Sequence, residues 1–430
     1  MRILIKGGRV IDPANRIDAQ KDIYIEEGII KKVSTSIKVN KSNVKVIDAR
    51  GKVVTPGLID MHTHLREPGR EDEETIASGT RAACKGGFTS ICCMPNTQPV
   101  TDNQAQVELI LSKSQKEGWV NVYPIGAITK GLQGEEMSPI GELKKAGVAG
   151  ITDDGKTVEN SLIMRRALEY SKMFKLPVIS HCEDKNLSAE GLINEGYIST
   201  ILGMRGIPRQ AEEVIVSRDI QLAEMTGGHL HIAHVSTEGS VGMIRRAKRM
   251  DIKVTAETAP HYFTLTDEAV KTYNTNTKMN PPLRTRKDVQ AIKQGLQDGT
   301  IDCIASDHAP HLEDEKNQEY ELAPFGIIGL ETMLPLIITE LVDKKVLTLR
   351  EAIKKLTVNP AHILGLNKGT LSPGANADIT IIDTKTRRKI ETFESQSNNS
   401  PFIGCTLRGF AVCTIVGGRI CMAEGELVAG

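Results

Sequence analysis

Aromatic side chains are scarce in this 430-residue chain, at 3% of the total. A core of any size must therefore be filled by Val, Ile, Leu, Ala and Met. Neither sign of charge is in excess, because Lys plus Arg and Asp plus Glu each number 54. That balance gives no electrostatic footprint for nucleic acid and no charged tail. No apolar run approaches the ~20 residues a membrane helix needs. The opening residues, MRILIKGGRVIDP, carry Arg2, Lys6 and Arg9 in a short apolar stretch. They do not read as a signal peptide, and cytoplasmic residence is the expectation. The 8 cysteines form no C-x-x-C pair and no zinc-knuckle spacing, so buried, reduced thiols are expected. What these absences leave is a globular protein whose partner is a small molecule or another protein.

What is present divides the chain by texture. Residues 1–52 read as short strands separated by Gly-containing turns (MRILIKGGRVID, KDIYIEEGIIKKV, VKVIDARGKVV), and residues 368–430 read the same way. The two ends are expected to form one small β-sandwich domain. Residues 53–367 differ. Eight apolar runs recur there: TPGLIDMH, GFTSICCMP, NVYPIGAIT, GVAGITDD, LPVISHC, HLHIAHVS, IKVTAETAP and TIDCIASD. Segments of helical period lie between many of them, such as AQVELILSKSQKEG and NSLIMRRALEYSKMF. Alternating strands and helices imply parallel pairing through right-handed crossovers, and eight units are the count of a (β/α)8 barrel. A doubly wound open sheet is the alternative.

In a barrel of this type catalytic groups gather at the C-terminal ends of the strands. The first run ends with His62 and His64, the fourth with Asp153-Asp154, the fifth with His181, the sixth with His234 and the eighth with Asp307. Positions i and i+2 of a strand face the same way, so His62 and His64 can bind one ion together. Imidazole and carboxylate suit Zn²⁺. Four His and two carboxylates exceed the needs of one tetrahedral ion, so two ions sharing a bridging carboxylate fit the inventory. His229 and His231 share a parity that His234 lacks, and they are read as structural. His362, in AHILG, is read as helix packing. Parity does not choose between Asp153 and Asp154.

The chain resembles the dihydroorotases of the amidohydrolase superfamily. DMHTHLREPG (60–69) and ASDHAPHLEDEK (305–316) are similar to that family's two signatures. MPNT (94–97), TDDG (152–155), SHCED (180–184), HVST (234–237) and KMNPPLR (278–284) lie between them, and LSPGANADITIID (371–383) resembles the superfamily's C-terminal return. The resemblance implies His62, His64 and Asp307 on one zinc, His181 and His234 on a second, and Asp154 bridging. A carboxylated lysine bridges the metals in other amidohydrolases, which makes Lys156 the competing candidate. The implied reaction is the interconversion of L-dihydroorotate and N-carbamoyl-L-aspartate in pyrimidine biosynthesis, with Asp307 moving the proton.

Dihydroorotate carries an unreacting carboxylate, and a guanidinium fork beyond the first strand can grip it. Arg66 has that place, with His64, Asn96, Asn280 and His311 completing the substrate site. The resemblance adds the backbone at Phe325 and Gly326. A surface salt bridge to Glu71, Asp72, Glu73 or Glu74 is the plainer role for Arg66. The polar stretch HLEDEKNQEYELAPFG (311–326) is expected to order over bound substrate as a lid. The competing functions are a hydantoinase or allantoinase type of cyclic amidase, and a silent scaffold paralogue. The resemblance also leaves room for aspartate transcarbamoylase as a partner and for a homo-oligomer.

Overall fold

All eight apolar runs form strands of one parallel sheet in a computed structural model that describes residues 1–39 and 43–428. The strands are Leu58–Thr63, Phe88–Cys93, Asn121–Ala127, Gly150–Thr152, Val178–Ser180, Leu230–Ile232, Val254–Thr258 and Cys303–Ile304. Neighbours in the sheet are neighbours in this series, as successive right-handed crossovers require. The chain beyond Ile304 brings the last strand back to the first. Thr63 bridges His308 in parallel, and the His64 N–H donates to the His308 carbonyl at 2.8 Å. The result is a nearly closed (β/α)8 barrel.

The first crossover helix, Ile76–Gly86, shows how local sequence sets the connections. Thr75 caps its start, with its hydroxyl accepting from the Ser78 N–H in a capping box. Gly87 ends it at φ +90°, its N–H returning to the carbonyls of Ala83 and Cys84. A Cβ at Gly87 would meet the Ala411 Cβ at 2.7 Å, so this position needs glycine for conformation and for close approach.

Two apolar layers hold the barrel. An outer layer between strands and helices includes Leu58, Phe88, Ile151, Leu168, Val216 and Ile244. An inner plug of Met61, Cys92, Ile125, Ile179, Cys303, Ile363 and Leu364 fills the interior. Polar groups are thereby confined to the strand ends, and the functional side chains collect there.

The chain ends share one nine-stranded sheet. Val53–Pro56 joins its halves, pairing parallel with Arg2–Asp12 and antiparallel with Ile379–Lys389. This strand is expected from the sequence at the start of the barrel; the structure pairs it in the end sheet instead. Ile3, Ile5, Ile23 and Ile25 pack there against Ile379, Ile381 and Ile415. The segment between Ile379–Lys389 and Thr406–Val416 leaves the sheet and reaches the barrel rim, where Asn399 Nδ2 donates to the Ala309 carbonyl at 3.0 Å. Among the described residues, no helix is long and apolar enough to cross a membrane.

Candidate metal centre

Five strand ends converge on one point. His62 lies in the first strand and His64 just beyond it; Asp154, His181, His234 and Asp307 follow the fourth, fifth, sixth and eighth strands. Ligand atoms of His62, His64 and Asp307 lie within 4.8 Å of one another, and so do those of Asp154, His181 and His234. Asp154 stands between the two groups. Its Oδ2 is 3.3 Å from His62 Nε2 and 3.4 Å from His64 Nε2. Its Oδ1 is 3.7 Å from His181 Nδ1 and 3.5 Å from His234 Nε2. Asp307 Oδ1 lies 3.5 Å from His62 Nε2 and 3.4 Å from His64 Nε2. The six residues expected from the sequence are thus together in space.

Partners behind the imidazoles set which nitrogen faces the centre. Glu257 Oε1 lies 2.7 Å from His62 Nδ1, Asn96 Oδ1 lies 2.9 Å from His64 Nδ1, and Glu183 Oε2 lies 3.3 Å from His181 Nε2. An acceptor on one ring nitrogen holds the proton there and leaves the other nitrogen's lone pair free. His62 Nε2 and Asp154 Oδ1 are buried without a hydrogen-bond partner. Burial opposes ionisation of Asp154, yet the surrounding imidazoles of His62, His181 and His234 hold its carboxyl well below the usual range. Asp307 is likewise held low against its burial, by His62 and His64 first. Two buried carboxylates facing clustered imidazole nitrogens form a donor set that fits divalent cations.

Three functional positions carry backbone strain. Arg66, His234 and Asp307 sit at φ +60°, +31° and +50°, a region non-glycine residues rarely adopt and one that clusters at functional sites. The turn of the chain parts His234 from the other two histidines. The sixth strand ends at Ile232, and the chain turns before His234. His231 instead points to Glu257, with 3.4 Å between Nε2 and Oε2, and His229 Nε2 meets Thr255 Oγ1 at 2.9 Å. Asp153 differs from Asp154 in its partners, because its Oδ1 accepts from the N–H groups of Ile128 and Thr129 at 2.8 and 3.0 Å. Lys156 is exposed to solvent.

A cavity of about 230 Å³ opens over the centre, lined by His64, Asp154, His181, His234 and Asp307 and by Arg66, Asn96, Asn280, His311, Phe325 and Gly326. Every expected substrate residue is therefore at the cavity, but several polar groups are already engaged. Asn280 Nδ2 donates to Glu183 Oε2 at 3.0 Å, and the Gly326 N–H donates to the Lys278 carbonyl at 2.9 Å. The ring of His311 lies between Glu73 Oε1, 2.9 Å from Nδ1, and the Phe325 carbonyl, 2.8 Å from Nε2. Arg66 makes the salt bridge that competed with its binding role, Nε to Glu73 Oε2 at 3.0 Å, and still lines the cavity. Glu73, Glu183, Glu257 and Asn399 carry no role in the sequence reading. Glu257 left a signal, a carboxylate inside an otherwise buried strand; Asn399 left none.

The stretch 311–326 is fastened at several points. Lys316 Nζ donates to the carbonyls of Pro324 and Gly326 at 2.9 and 3.1 Å, and Lys278 Nζ to those of Tyr320 and Glu321, both at 2.8 Å. Burial pushes the Lys316 ammonium down to about 7 from its ordinary 10.5. Unfolding therefore takes up a proton between those values, so this lysine's contribution to stability rises with pH across that window. The difference in unfolding free energy between wild type and Lys316→Met is expected to move toward wild type from about pH 7 to about pH 10. Denaturant melts at both pH values check this, and a flat difference would mean that the amine titrates as it does in water.

The model of the dihydro-orotase-like family matches residues 51–240, and that of the amidohydrolase family matches residues 326–422. The dihydroorotase of Endomicrobium trichonymphae is 63% identical over 98% of this chain and 99% of its own length. The dihydroorotase of Pelotomaculum thermopropionicum is 57% identical over 99% of each chain. Among solved structures, the L-hydantoinase (dihydropyrimidinase) from Arthrobacter aurescens aligns with a TM-score of 0.89 at 24% identity. That alignment covers 99% of this chain and 97% of the hydantoinase, a likeness of fold.

Proposed function

We infer the roles of individual residues from one premise: this chain belongs to the dihydroorotase family of amidohydrolases along nearly its whole length. Its activity is that of a dihydroorotase, a cyclic amide hydrolase that opens L-dihydroorotate with water to N-carbamoyl-L-aspartate and closes it again. The family is metal-dependent.

Beyond that, the reading is two Zn²⁺ per chain. His62, His64 and Asp307 hold one, His181 and His234 the other, and Asp154 lies between them. When bound, the pair supplies an ionised water at neutral pH and positive charge for the carbonyl oxygen. The protein's own groups do the rest. Asp307 accepts the attacking water's proton and returns it to the departing ring nitrogen; in the closing direction it takes the proton from the ureido nitrogen. Asn96, through His64, and Glu183, through His181, keep the imidazoles in register.

The observation that carries the substrate assignment is that Arg66 shares the 230 Å³ cavity with the ligand cluster. A neutral hydantoin offers a guanidinium nothing to grip, whereas dihydroorotate offers a carboxylate. Purified protein is expected to contain two zinc ions per chain and to turn over dihydroorotate far better than hydantoin. Arg66→Met is expected to lower kcat/KM for dihydroorotate by about a hundredfold, mainly through KM, as the loss of two charge-assisted hydrogen bonds implies. Faster turnover of hydantoin, unaffected by Arg66→Met, would overturn the assignment.

A further inference from the structure

Glu73 is buried, with 2% of its side chain exposed, and it binds three cationic or titratable side chains at once. Its Oε2 lies 3.0 Å from Arg66 Nε in an ion pair, and its Oε1 lies 2.9 Å from His311 Nδ1 and 3.2 Å from Arg70 Nη2. Its backbone is fixed as well, with the N–H donating to the Arg70 carbonyl and the carbonyl accepting from Ser397 Oγ. Arg66 and His311 line the cavity; Glu73 does not.

The way Glu73 holds Arg66 is informative. A guanidinium can meet a carboxylate side-on, through Nε and one terminal nitrogen, or end-on, through both terminal nitrogens. Here Nε meets Glu73 and donates to the Pro310 carbonyl, at 3.0 and 3.1 Å, so the side-on approach is obstructed at Nε. The end-on edge points the other way, with Nη2 3.3 Å from His311 Nε2 at the cavity wall. The same carboxylate, through Nδ1, turns His311 so that Nε2 lies 3.3 Å from Arg66 Nη2. One buried group therefore sets the attitude of both side chains at the anionic end of the pocket.

We propose that Glu73 is a positioning residue for substrate recognition, presenting Arg66 end-on to the carboxylate of dihydroorotate and steadying His311 beside it. This rests on the substrate reading above. Glu73 also places a negative charge near the substrate's own, so its removal mixes an electrostatic gain with a geometric loss. Glu73→Asp separates the two, because it keeps the charge and shortens the arm by one methylene.

Glu73→Asp is expected to raise KM for dihydroorotate by about tenfold, the effect of weakening one charge-assisted contact, with kcat within about twofold and metal content unchanged. In an Arg66→Met background the same change is expected to shrink to about threefold or less, because the two residues act as one unit. Glu73→Gln, which keeps the arm length, is carried through the same cycle should the aspartate variant purify poorly; its effect too must shrink without Arg66. An unchanged KM, a loss confined to kcat, or an equal loss in both backgrounds overturns the proposal. Wild type without dihydroorotate turnover would overturn the substrate reading and this inference together. Intact wild-type turnover with any of those three results overturns this inference alone.

Discussion

Asp307→Asn is expected to lower kcat for dihydroorotate by about a thousandfold or more, in the upper part of the range for losing a positioned proton-transfer group. The substitution is nearly isosteric and keeps one oxygen, so the cavity should survive it. What it removes is the capacity to accept a proton. Asp307 is the more open of the two carboxylates at the centre, with 14% of its side chain exposed against 3% for Asp154. It is also held in a strained conformation at φ +50°. A proton carrier must reach the substrate, and the greater openness of Asp307 suits it to that task. With His62 and His64 intact, KM should change less than kcat. Turnover and metal count on the same preparation check this. A variant retaining more than a tenth of wild-type kcat would move the proton transfer to another residue.

The cluster of four imidazoles and two carboxylates was legible because its spacing rules are local. The first strand puts two imidazoles at i and i+2, and the other members each follow an apolar run. A barrel turns such ends into neighbours. The residues that hydrogen-bond to that cluster obey no local rule. Glu257 meets His62 across 195 positions of sequence, and Asn96 meets His64 across 32. Glu183, two residues from His181, was within reach of spacing arguments, but its motif suggested no role of its own. Val53–Pro56 was misplaced because all four of its residues are buried, and a wholly buried strand reads alike in either sheet. The polar stretch that carries Asn399 has no strand or helix pattern to place it. The Asn399 side chain donates to the carbonyls of Ala309 and Gly326 at the cavity wall. For Arg66, sequence posed a salt bridge and a binding role as rivals. The structure contains the ion pair and leaves the residue lining the cavity, so the two compete for different edges of one guanidinium.

Asp154→Asn is expected to do more damage than any other single change: turnover below a thousandth of wild type, and bound metal falling from two ions per chain to one or none. Each Asp154 oxygen faces its own pair of imidazoles, Oδ2 toward His62 and His64, Oδ1 toward His181 and His234. An asparagine supplies one oxygen and one amide nitrogen. Whichever way it turns, N–H donors point into one of the two clusters and meet a cation there instead of an anion. The lost charge matters as much as the lost ligand. Asp154 is held ionised despite complete burial, so the site is built to contain an anion at that point. Two divalent cations a few ångströms apart repel strongly, and in a buried setting little but an anion between them offsets that. Asp307 cannot substitute, because it reaches only His62 and His64. Metal analysis alongside turnover decides the matter. A variant that keeps two ions per chain would show that Asp154 does not bridge them, and the carboxylate joining the clusters would have to be sought elsewhere.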